Sequence, residues 1–150
     1  MPQRVCVDAS LALLLLLPEI LTPKVEAMWQ FWSEENVEIV APPLFFAEVT
    51  SVIRESVYFG RILPQEGEDA FAVFTELSVK AVQLSDLQSG AWALAKQYNR
   101  PRAYDAQYLA VASGLDCELW TADHRLVNAV RVPWLRWIGD HAGRSTPTQS

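Results

Sequence analysis

Near its N-terminus the sequence contains Arg4-Val5-Cys6-Val7-Asp8-Ala9-Ser10, which introduces the pattern that the rest of the chain repeats. Val5, Cys6 and Val7 are β-branched or apolar, which suits a short buried strand that begins at Arg4, and a Leu-rich run follows from Leu11 to Leu17. The stretch therefore predicts a strand at residues 4–7 that turns directly into a helix. Asp8 lies at that turn, at the carboxyl end of the strand, where α/β proteins with parallel sheets bind their ligands.

Short β-branched runs continue to alternate with longer helical periods up to residue 138. This alternation predicts an α/β protein with a mostly parallel sheet, with strands at 4–7, 37–40, 79–84, 118–121 and 134–138. We expect Ser10 to cap the first helix, Gly60 to end the helix after the second strand, and Gly114 to end the helix before residue 118. No repeat or linker interrupts the pattern. We therefore expect one domain over residues 1–140 and a flexible polar tail at 141–150.

The composition is that of a globular protein. The 150 residues are 51% apolar and 20% charged, with 6 glycines and 9 prolines, which excludes collagen-like and largely disordered chains. The longest apolar run, Leu11 to Leu17, stops at Pro18 and is too short to span a membrane; its flanks also differ from those of a secretory signal. Cys6 and Cys117 have no metal-binding or redox spacing. We expect reduced thiols in a cytoplasmic protein that has no membrane partner.

Four carboxylates follow predicted strands or lie in the first turns of predicted helices: Asp8, Glu48, Asp105 and Asp123. Each one alone has an ordinary explanation, because acids at helix N-termini cap the helix or interact favourably with its dipole. Gathered at one edge of a sheet, however, they repel one another and destabilise the fold unless a cation is bound. Ligand sets made only of oxygen suit Mg²⁺ or Mn²⁺. The sequence therefore predicts a divalent metal site.

Several α/β families place an acid after the first strand, and the residues beside Asp8 distinguish them. A phosphohydrolase of the haloacid dehalogenase type needs a second Asp two residues later, where this chain has Ser10. A von Willebrand-type metal site needs serines two and four residues after the acid, and Ala12 stands at the second of these positions. A response-regulator receiver needs an acidic pair before its Asp and a Lys at a later strand end, and neither is evident.

Four segments resemble, in the same order, those of the PIN domain, and in particular of the VapC-type toxins of bacterial toxin–antitoxin pairs. Each segment carries one of the four acids, and the resemblance extends over residues 1–140. Their joint order and spacing carry the resemblance, since any one segment alone is a weak signal. The segments are Val5-Cys6-Val7-Asp8-Ala9-Ser10, Pro42-Pro43-Leu44-Phe45-Phe46-Ala47-Glu48-Val49, Tyr104-Asp105-Ala106-Gln107-Tyr108-Leu109-Ala110-Val111-Ala112 and Leu119-Trp120-Thr121-Ala122-Asp123-His124-Arg125-Leu126.

The resemblance implies a three-layer α/β/α sandwich around a central, mostly parallel five-stranded sheet. It also implies an endoribonuclease, a phosphodiester hydrolase that depends on Mg²⁺ or Mn²⁺ and acts as the toxin of a type II toxin–antitoxin pair. The implied partners are an RNA substrate, a second copy of the chain, and an antitoxin. A segment of that antitoxin is expected to lie in a hydrophobic groove and to insert a basic side chain among the acids.

The resemblance also assigns roles to individual residues. The catalytic and metal-binding residues are the same four acids, with Glu48 the expected group to orient or deprotonate the attacking water, or to hold a second metal ion. Ser10 and Thr121 are expected to support the acids with their hydroxyl groups, and Asn128 to bring a further polar group to the site. The four implied site acids are Asp8, Glu48, Asp105 and Asp123.

The net charge of −6, from 12 basic and 18 acidic residues, opposes nucleic acid binding, which normally needs basic groups. Two bound divalent cations would reduce it to −2, so RNA contacts are expected to be local. Four arginines close in sequence to the acids are candidates for contacts to RNA phosphates. They are Arg100, Arg102, Arg125 and Arg54.

Two further functions remain open at this stage. One is a PIN-like module that binds or assembles without cutting, and the other is a structure-specific DNA nuclease, for whose clamps the short chain leaves little room. Trp29 and Trp32 share a helical face with Val25 and Met28. That face predicts core packing or, if it is exposed, a contact with an antitoxin or a second copy.

Overall fold

The structure is a computed structural model that describes residues 3–140; the polar tail predicted at 141–150 lies outside the described residues. Five strands form one sheet in the order β3-β2-β1-β4-β5, and every strand pair is parallel. The predicted α/β fold with a five-stranded sheet is confirmed. The strands are β1 (Arg4–Val7), β2 (Glu38–Ala41), β3 (Lys80–Ala81), β4 (Glu118–Thr121) and β5 (Leu135–Trp137).

Helices pack against the sheet in two groups, which gives the predicted three-layer sandwich. Helices α1 to α4 contact one another, whereas α5 and α6 form a hairpin whose second helix packs on β1 and β4. No helix within residues 3–140 has both the length and the apolar character needed to cross a bilayer. The helices are α1 (Ala9–Leu16), α2 (Thr22–Glu34), α3 (Leu44–Tyr58), α4 (Pro64–Glu76), α5 (Leu87–Gln97), α6 (Tyr104–Leu115) and α7 (His124–Ala129), followed by a 3₁₀ turn at Ile138–Asp140.

Strand β1 lies at the centre of the sheet, between β2 and β4. Its residues Cys6 and Val7 are fully buried, as expected for a parallel strand that is covered on both faces. The chain leaves β1 towards β2 and leaves β4 towards β5, so its connections diverge between the carboxyl ends of β1 and β4. Ligands of open α/β sheets bind at such a switch point. Asp8 and Asp123 are the acids that follow these two strands.

The aromatic face of α2 belongs to the core. Trp32 is only 3% exposed and packs edge-on against Trp120 of β4, with their ring centroids 6.3 Å apart. Trp29, which is partly buried, lies 5.8 Å from Trp32 between ring centroids. Core packing, the first of the two interpretations of this helical face, therefore accounts for Trp32.

The N-cap of α1 is Asp8 and not Ser10, which corrects the sequence prediction. Asp8 Oδ1 accepts a hydrogen bond from the backbone N–H of Leu11 at 3.0 Å. Asp and Ser cap helices about equally well, so the sequence does not select between two candidates that lie two residues apart. Ser10 falls in the first turn of the helix, and its hydroxyl contacts Asp8 and Thr121.

Two other predicted boundaries are wrong. Helix α6 continues through Gly114, and the left-handed residue that ends it is Asp116, with φ 54°; Asp tolerates this conformation better than most residues. Gly114 instead lies against Leu84, whose Cδ1 would be only 2.9 Å from a Cβ at residue 114. The strand predicted at 79–84 is reduced to the two exposed edge residues of β3. Gly60, with φ 72°, follows the end of α3 as predicted.

Gly67 allows α3 and α4 to pack closely, and this contact gives a first prediction. A Cβ at residue 67 would overlap the side chain of Val57 and touch Ile62. We expect Gly67→Ala to lower the free energy of unfolding by about 1–3 kcal/mol, because overpacking outweighs the better helix propensity of Ala. Gly90→Ala is the matched control, since its Cβ meets Ala110 at an ordinary 3.5 Å. Urea unfolding that shows equal effects for the two variants would contradict this account of the contact.

Candidate active site

Asp8 is the centre of a hydrogen-bond network at the switch point. Its side chain is buried and accepts three hydrogen bonds, which is how a folded protein keeps a buried carboxylate charged. Oδ1 accepts from the Ser10 hydroxyl at 2.7 Å and from the Leu11 N–H at 3.0 Å, and Oδ2 accepts from the Thr121 hydroxyl at 2.5 Å. The acid after β1 is therefore held by the first turn of α1 and by the last residue of β4.

Ser10 and Thr121 join the ends of β1 and β4. Their hydroxyl oxygens lie 3.2 Å apart, and each also accepts a backbone N–H from the loop after β4. The N–H of Ala122 donates to Ser10 Oγ at 3.0 Å, and the N–H of Asp123 donates to Thr121 Oγ1 at 2.9 Å. The two hydroxyls thus fix the position of the loop that carries Asp123 relative to Asp8.

The Asp123 side chain caps helix α7. Its Oδ1 accepts from the N–H groups of Arg125 and Leu126 at 3.0 and 3.3 Å, so Asp123 is the N-cap of this helix. Helix capping is therefore a structural reason for an acid at this position. Its connection to Asp8 runs through the backbone N–H of Asp123 and the hydroxyl of Thr121.

Glu48 is held by Tyr108, a partner that the sequence analysis did not identify. The Tyr108 hydroxyl donates to Glu48 Oε1 from helix α6, although the two residues are 60 positions apart. Tyr108 is only 2% exposed, and its place in an apolar helical stripe indicates core packing alone. The available signal is that a buried phenol needs a hydrogen-bond partner and that Tyr108 follows Asp105 by one helical turn.

Asp105, in the first turn of α6, pairs with Arg100 from the loop before that helix. The Arg100 Nη2 atom lies 3.4 Å from Asp105 Oδ2, and the Asp105 side chain is 42% exposed. Its negative charge nevertheless acts on the other acids, because it contributes to raising the pKa of both Asp8 and Glu48. Asp105 therefore lies within electrostatic reach of both carboxylates.

The pKa shifts at this site have clear physical causes. Burial raises the pKa of Asp8 from 3.8 to about 6, against the lowering effect of its hydrogen bonds to Thr121, Ser10 and Leu11; the charge of Asp105 raises it further. Burial also raises the pKa of Glu48, with Tyr108 opposing and Asp105 adding to the shift. Acids that disfavour one another's charged forms are stabilised by a nearby cation.

Other predicted site residues are less closely placed. Asn128 and Arg125 are exposed on α7, and Arg102 is exposed in the loop between α5 and α6. The backbone oxygen of Asn128 accepts from Arg131 Nε at 3.2 Å. Arg54 lies on α3 with its guanidinium 5.6 Å from the ring centroid of Tyr58. Across residues 3–140, no three His, Cys, Asp or Glu side chains lie close enough together to hold a metal ion.

The chemistry of the donors fits a hard divalent cation. The network offers carboxylate and hydroxyl oxygens and no thiolate or imidazole group, which is the ligand type of Mg²⁺ and Mn²⁺. Two of the acids feel the charge of a third, so a cation among them relieves repulsion. To bind one cation together, the side chains of Asp105 and Asp123 must move, because Asp105 is paired with Arg100 and Asp123 caps α7.

Comparison with known proteins identifies the family of the chain. The PIN domain family matches residues 15–139 of the chain. Ribonuclease VapC9 of Mycobacterium tuberculosis and VapC ribonuclease Mb0985 of Mycobacterium bovis are each 30% identical to it over 122 residues, which are 81% of this chain and 87% of each relative. The matched range begins after Asp8.

Two solved structures share the fold at low sequence identity. VapBC2 from Rickettsia felis, bound to a DNA fragment from its promoter, has a TM-score of 0.65 at 10% identity and covers 90% of this chain and 97% of its own. PAE2754 from Pyrobaculum aerophilum has a TM-score of 0.59 at 19% identity, covering 87% and 89%. With the family match and the two mycobacterial relatives, these findings confirm the resemblance: the chain belongs to the PIN domain family and is a relative of the VapC ribonucleases.

Proposed function

We propose that this chain is a metal-dependent endoribonuclease and the toxin of a type II toxin–antitoxin pair. The observation that carries the proposal is the buried Asp8 carboxylate at the switch point, joined to the loop of Asp123 by Thr121. The mycobacterial relatives are named as ribonucleases, and the Rickettsia neighbour is a VapBC complex, which supports both the activity and an antitoxin partner.

The proposed ligands for Mg²⁺ or Mn²⁺ are the four acids that the sequence analysis selects. Asp8 supplies the buried carboxylate, Asp105 the exposed one that acts electrostatically on its neighbours, and Asp123 and Glu48 complete the set. When bound, the cation supplies a more acidic water and neutralises charge that develops on the scissile phosphate. Ser10 and Thr121 orient Asp8 for this role through their hydrogen bonds.

Glu48 is the proposed group that orients the attacking water and accepts its proton. Its raised pKa brings the carboxylate closer to the pH at which a general base works well. The hydrogen bond from Tyr108 fixes one carboxylate oxygen and leaves the other for water. Tyr108 is therefore a positioning residue in this proposal.

Contacts to RNA are proposed for Arg100, Arg102, Arg125 and Arg54. Arg100 and Arg102 precede Asp105 in the loop before α6, and Arg125 lies in the first turn of α7. Arg54 is one to two helical turns beyond Glu48 on α3. Such local basic groups compensate for the net charge of −6. We further propose a homodimer and a cytoplasmic location, with residues 1–140 as the nuclease domain and residues 141–150 as a polar tail.

The activity is tested by incubating the purified chain with structured RNAs in the presence and absence of Mn²⁺. We expect cleavage that needs the metal ion and that is lost in Asp105→Asn. Asp69→Asn is the control, because Asp69 is exposed on α4 and, among residues 3–140, accepts only from Gln65. Cleavage that persists in Asp105→Asn, or in excess chelator, would overturn the metal mechanism.

A second candidate is a PIN-like protein that binds or assembles without cutting. The observation that favours it is that no three potential ligands converge on a metal position within residues 3–140. Thermal unfolding distinguishes the two candidates, because a bound cation stabilises the folded state by mass action. A melting temperature that stays the same when Mg²⁺ or Mn²⁺ is added would favour the non-cleaving protein.

Tyr108→Phe gives a prediction about pH. The Tyr108 hydrogen bond lowers the pKa of Glu48 against the effect of burial, so its removal raises that pKa further. A general base must be ionised, and we therefore expect the acidic limb of the pH–activity profile to move to higher pH, with larger losses at pH 6 than at pH 8. Tyr58→Phe, on the exposed end of α3, is the control. A uniform loss at every pH would show that the Tyr108 hydroxyl does not act through the pKa of Glu48.

A further inference from the structure

Arg100 makes an incomplete ion pair at the edge of the candidate active site. It lies in the loop between α5 and α6, and its side chain is 24% exposed. The single contact of its guanidinium with Asp105 is 3.4 Å long, whereas charge-assisted Arg–carboxylate bonds are commonly about 2.7–2.9 Å and bidentate. The contact therefore satisfies only part of the guanidinium.

A second N–H of Arg100 is buried without an acceptor. Among residues 3–140, its Nε is one of two buried side-chain nitrogens or oxygens with no hydrogen-bond partner. A buried unpaired donor carries a desolvation penalty, and for a charged group this penalty is large. The backbone is fixed, since the Arg100 N–H donates to the Ala95 oxygen at 2.7 Å. Only the side chain can move to complete its bonds.

Asp105 is subject to a competing demand. Its charge acts on Asp8 and Glu48, which places it among the acids that a cation would neutralise. The pairing with Arg100 occupies Oδ2 and holds a positive charge beside the same carboxylate. One positive group close to Asp105 weakens the binding of another by Coulomb repulsion.

We propose that Arg100 exchanges partners: it pairs with Asp105 in the free protein and moves to an RNA phosphate when Asp105 binds the divalent cation. This inference rests on the proposed ribonuclease function. A phosphate offers two oxygens to the planar fork of the guanidinium, which the present contact leaves partly unused. The exchange couples the two events, because release of Arg100 both frees the metal ligand and provides the phosphate contact.

The first arm of the test measures metal affinity without RNA. Mn²⁺ is titrated calorimetrically into the metal-stripped full chain, as wild type, Arg100→Gln and the control Arg102→Gln. We expect Arg100→Gln to bind Mn²⁺ about three- to tenfold more tightly, because a competing charge is removed. Arg102 is exposed and makes no pair with Asp105 in the described contacts, so Arg102→Gln should change the affinity less than about twofold.

The second arm measures the binding of a labelled single-stranded RNA by fluorescence anisotropy, in Ca²⁺ and in chelator. In Ca²⁺ we expect Arg100→Gln to weaken binding by about five- to tenfold and to reduce the salt slope by about one. In chelator the RNA affinities of the variant and the wild type should agree within about twofold, because Arg100 then pairs with Asp105 and not with a phosphate. Arg100→Lys keeps the charge without the fork and should lose about threefold in Ca²⁺ only.

The outcomes separate this inference from the function on which it rests. A wild-type chain that neither binds Mn²⁺ nor cuts RNA would overturn the proposed function and the exchange together. A wild type that does both, with Mn²⁺ affinity unchanged or weaker in Arg100→Gln, would overturn the exchange alone. So would an equal loss of RNA binding in Ca²⁺ and in chelator, because Arg100 would then be a constant phosphate contact. If Arg100→Gln unfolds, Arg100→Lys makes the distinction in the second arm, because its loss of RNA binding should be present in Ca²⁺ and absent in chelator.

Discussion

Asp8→Asn is expected to abolish RNA cleavage and, at the same time, to make the metal-free protein more stable at pH 8. In the proposed function Asp8 is the buried ligand of the cation, so we expect cleavage to fall by at least about 10²-fold, the scale for removing one electrostatic stabiliser of a transition state. The gain in stability follows from the pKa of Asp8, which burial raises from 3.8 to about 6.

The sign of the stability change follows from proton linkage. A carboxyl group whose pKa is raised by folding favours the folded state while it is protonated, below pH 4, and this contribution is lost as the pH rises through 6. A shift of about two pKa units corresponds to about 3 kcal/mol at pH 8. Asn carries no charge and avoids this loss, so the two proteins should unfold alike near pH 3.5, differ increasingly as the pH rises to about 6, and keep a nearly constant difference above it.

The hydrogen-bond network accommodates the amide. The Asn oxygen keeps the bonds from Ser10 and Leu11. The Asn NH₂ group donates to Thr121 Oγ1, whose hydroxyl donates to the Asp8 carboxylate in the wild type. The Thr121 proton then turns to Ser10 Oγ, 3.2 Å away, so both hydroxyls remain paired, while the second amide N–H has no acceptor among these contacts. The substitution leaves no cavity, and the expected gain is the charge effect reduced by the desolvation cost of that N–H.

Urea unfolding of the chelated protein between pH 3.5 and 8 measures this effect. Glu38→Gln is a control of opposite sign, because Arg4 holds the pKa of Glu38 below its usual range and Lys80 adds to that effect. Neutralising Glu38 should therefore cost stability at pH 8. If Asp8→Asn proves less stable than wild type at pH 8 while its fold is intact, burial does not disfavour the charged form of Asp8 enough to destabilise the folded protein.

The sequence predicts the positions of the acids better than their contacts. A strand followed by an acid is visible in the chain, and a parallel sheet brings the ends of such strands together, so the places of Asp8 and Asp123 follow from pattern and topology. The partner of Glu48 does not follow, because Tyr108 belongs to an apolar stripe and meets Glu48 only through the packing of α6 near α3. Periodicity indicates which face is buried and not which buried groups touch.

Side-chain conformation is the other part that the sequence cannot supply. Both Asp8 and Ser10 are good helix caps, and only the position of β4 decides that Asp8 caps α1 while Ser10 bonds across the sheet edge. Arg100 is recognisable as a basic residue near Asp105, but its pairing with that acid depends on the shape of one loop. The pattern thus locates the site, whereas tertiary contacts determine the charge state of its members.

Thr121→Val is expected to destabilise the protein strongly although it leaves all four acids in place. Thr121 is fully buried and donates to Asp8 Oδ2 while accepting the N–H of Asp123. Val keeps the volume but leaves a charged oxygen and a backbone N–H without partners. We expect a loss of about 2–4 kcal/mol in the free energy of unfolding at pH 8, and a melting temperature lower by about 6–12 °C.

The same substitution should alter the pH dependence of cleavage. The Thr121 hydrogen bond is the largest influence that lowers the pKa of Asp8, so without it the pKa rises above about 6 and the ionised form is reached only at higher pH. The acidic limb of the pH–activity profile should therefore move to higher pH. Thr121→Ser keeps the hydroxyl and loses one methyl group, so we expect its profile to match wild type and its stability to fall by about 1 kcal/mol.

A double-mutant cycle with Asp8→Asn measures how much of the stability cost of Thr121→Val depends on the charge of Asp8. If the cost of Thr121→Val comes from an unpaired charged oxygen, it should fall to about half when residue 8 is neutral, because leaving a neutral group unpaired costs less. Urea unfolding of the four proteins at pH 8 gives the coupling free energy. A coupling near zero would mean that the cost of Thr121→Val comes from the unpaired N–H of Asp123, and the junction of β1 and β4 would then have no part in setting the charge of Asp8.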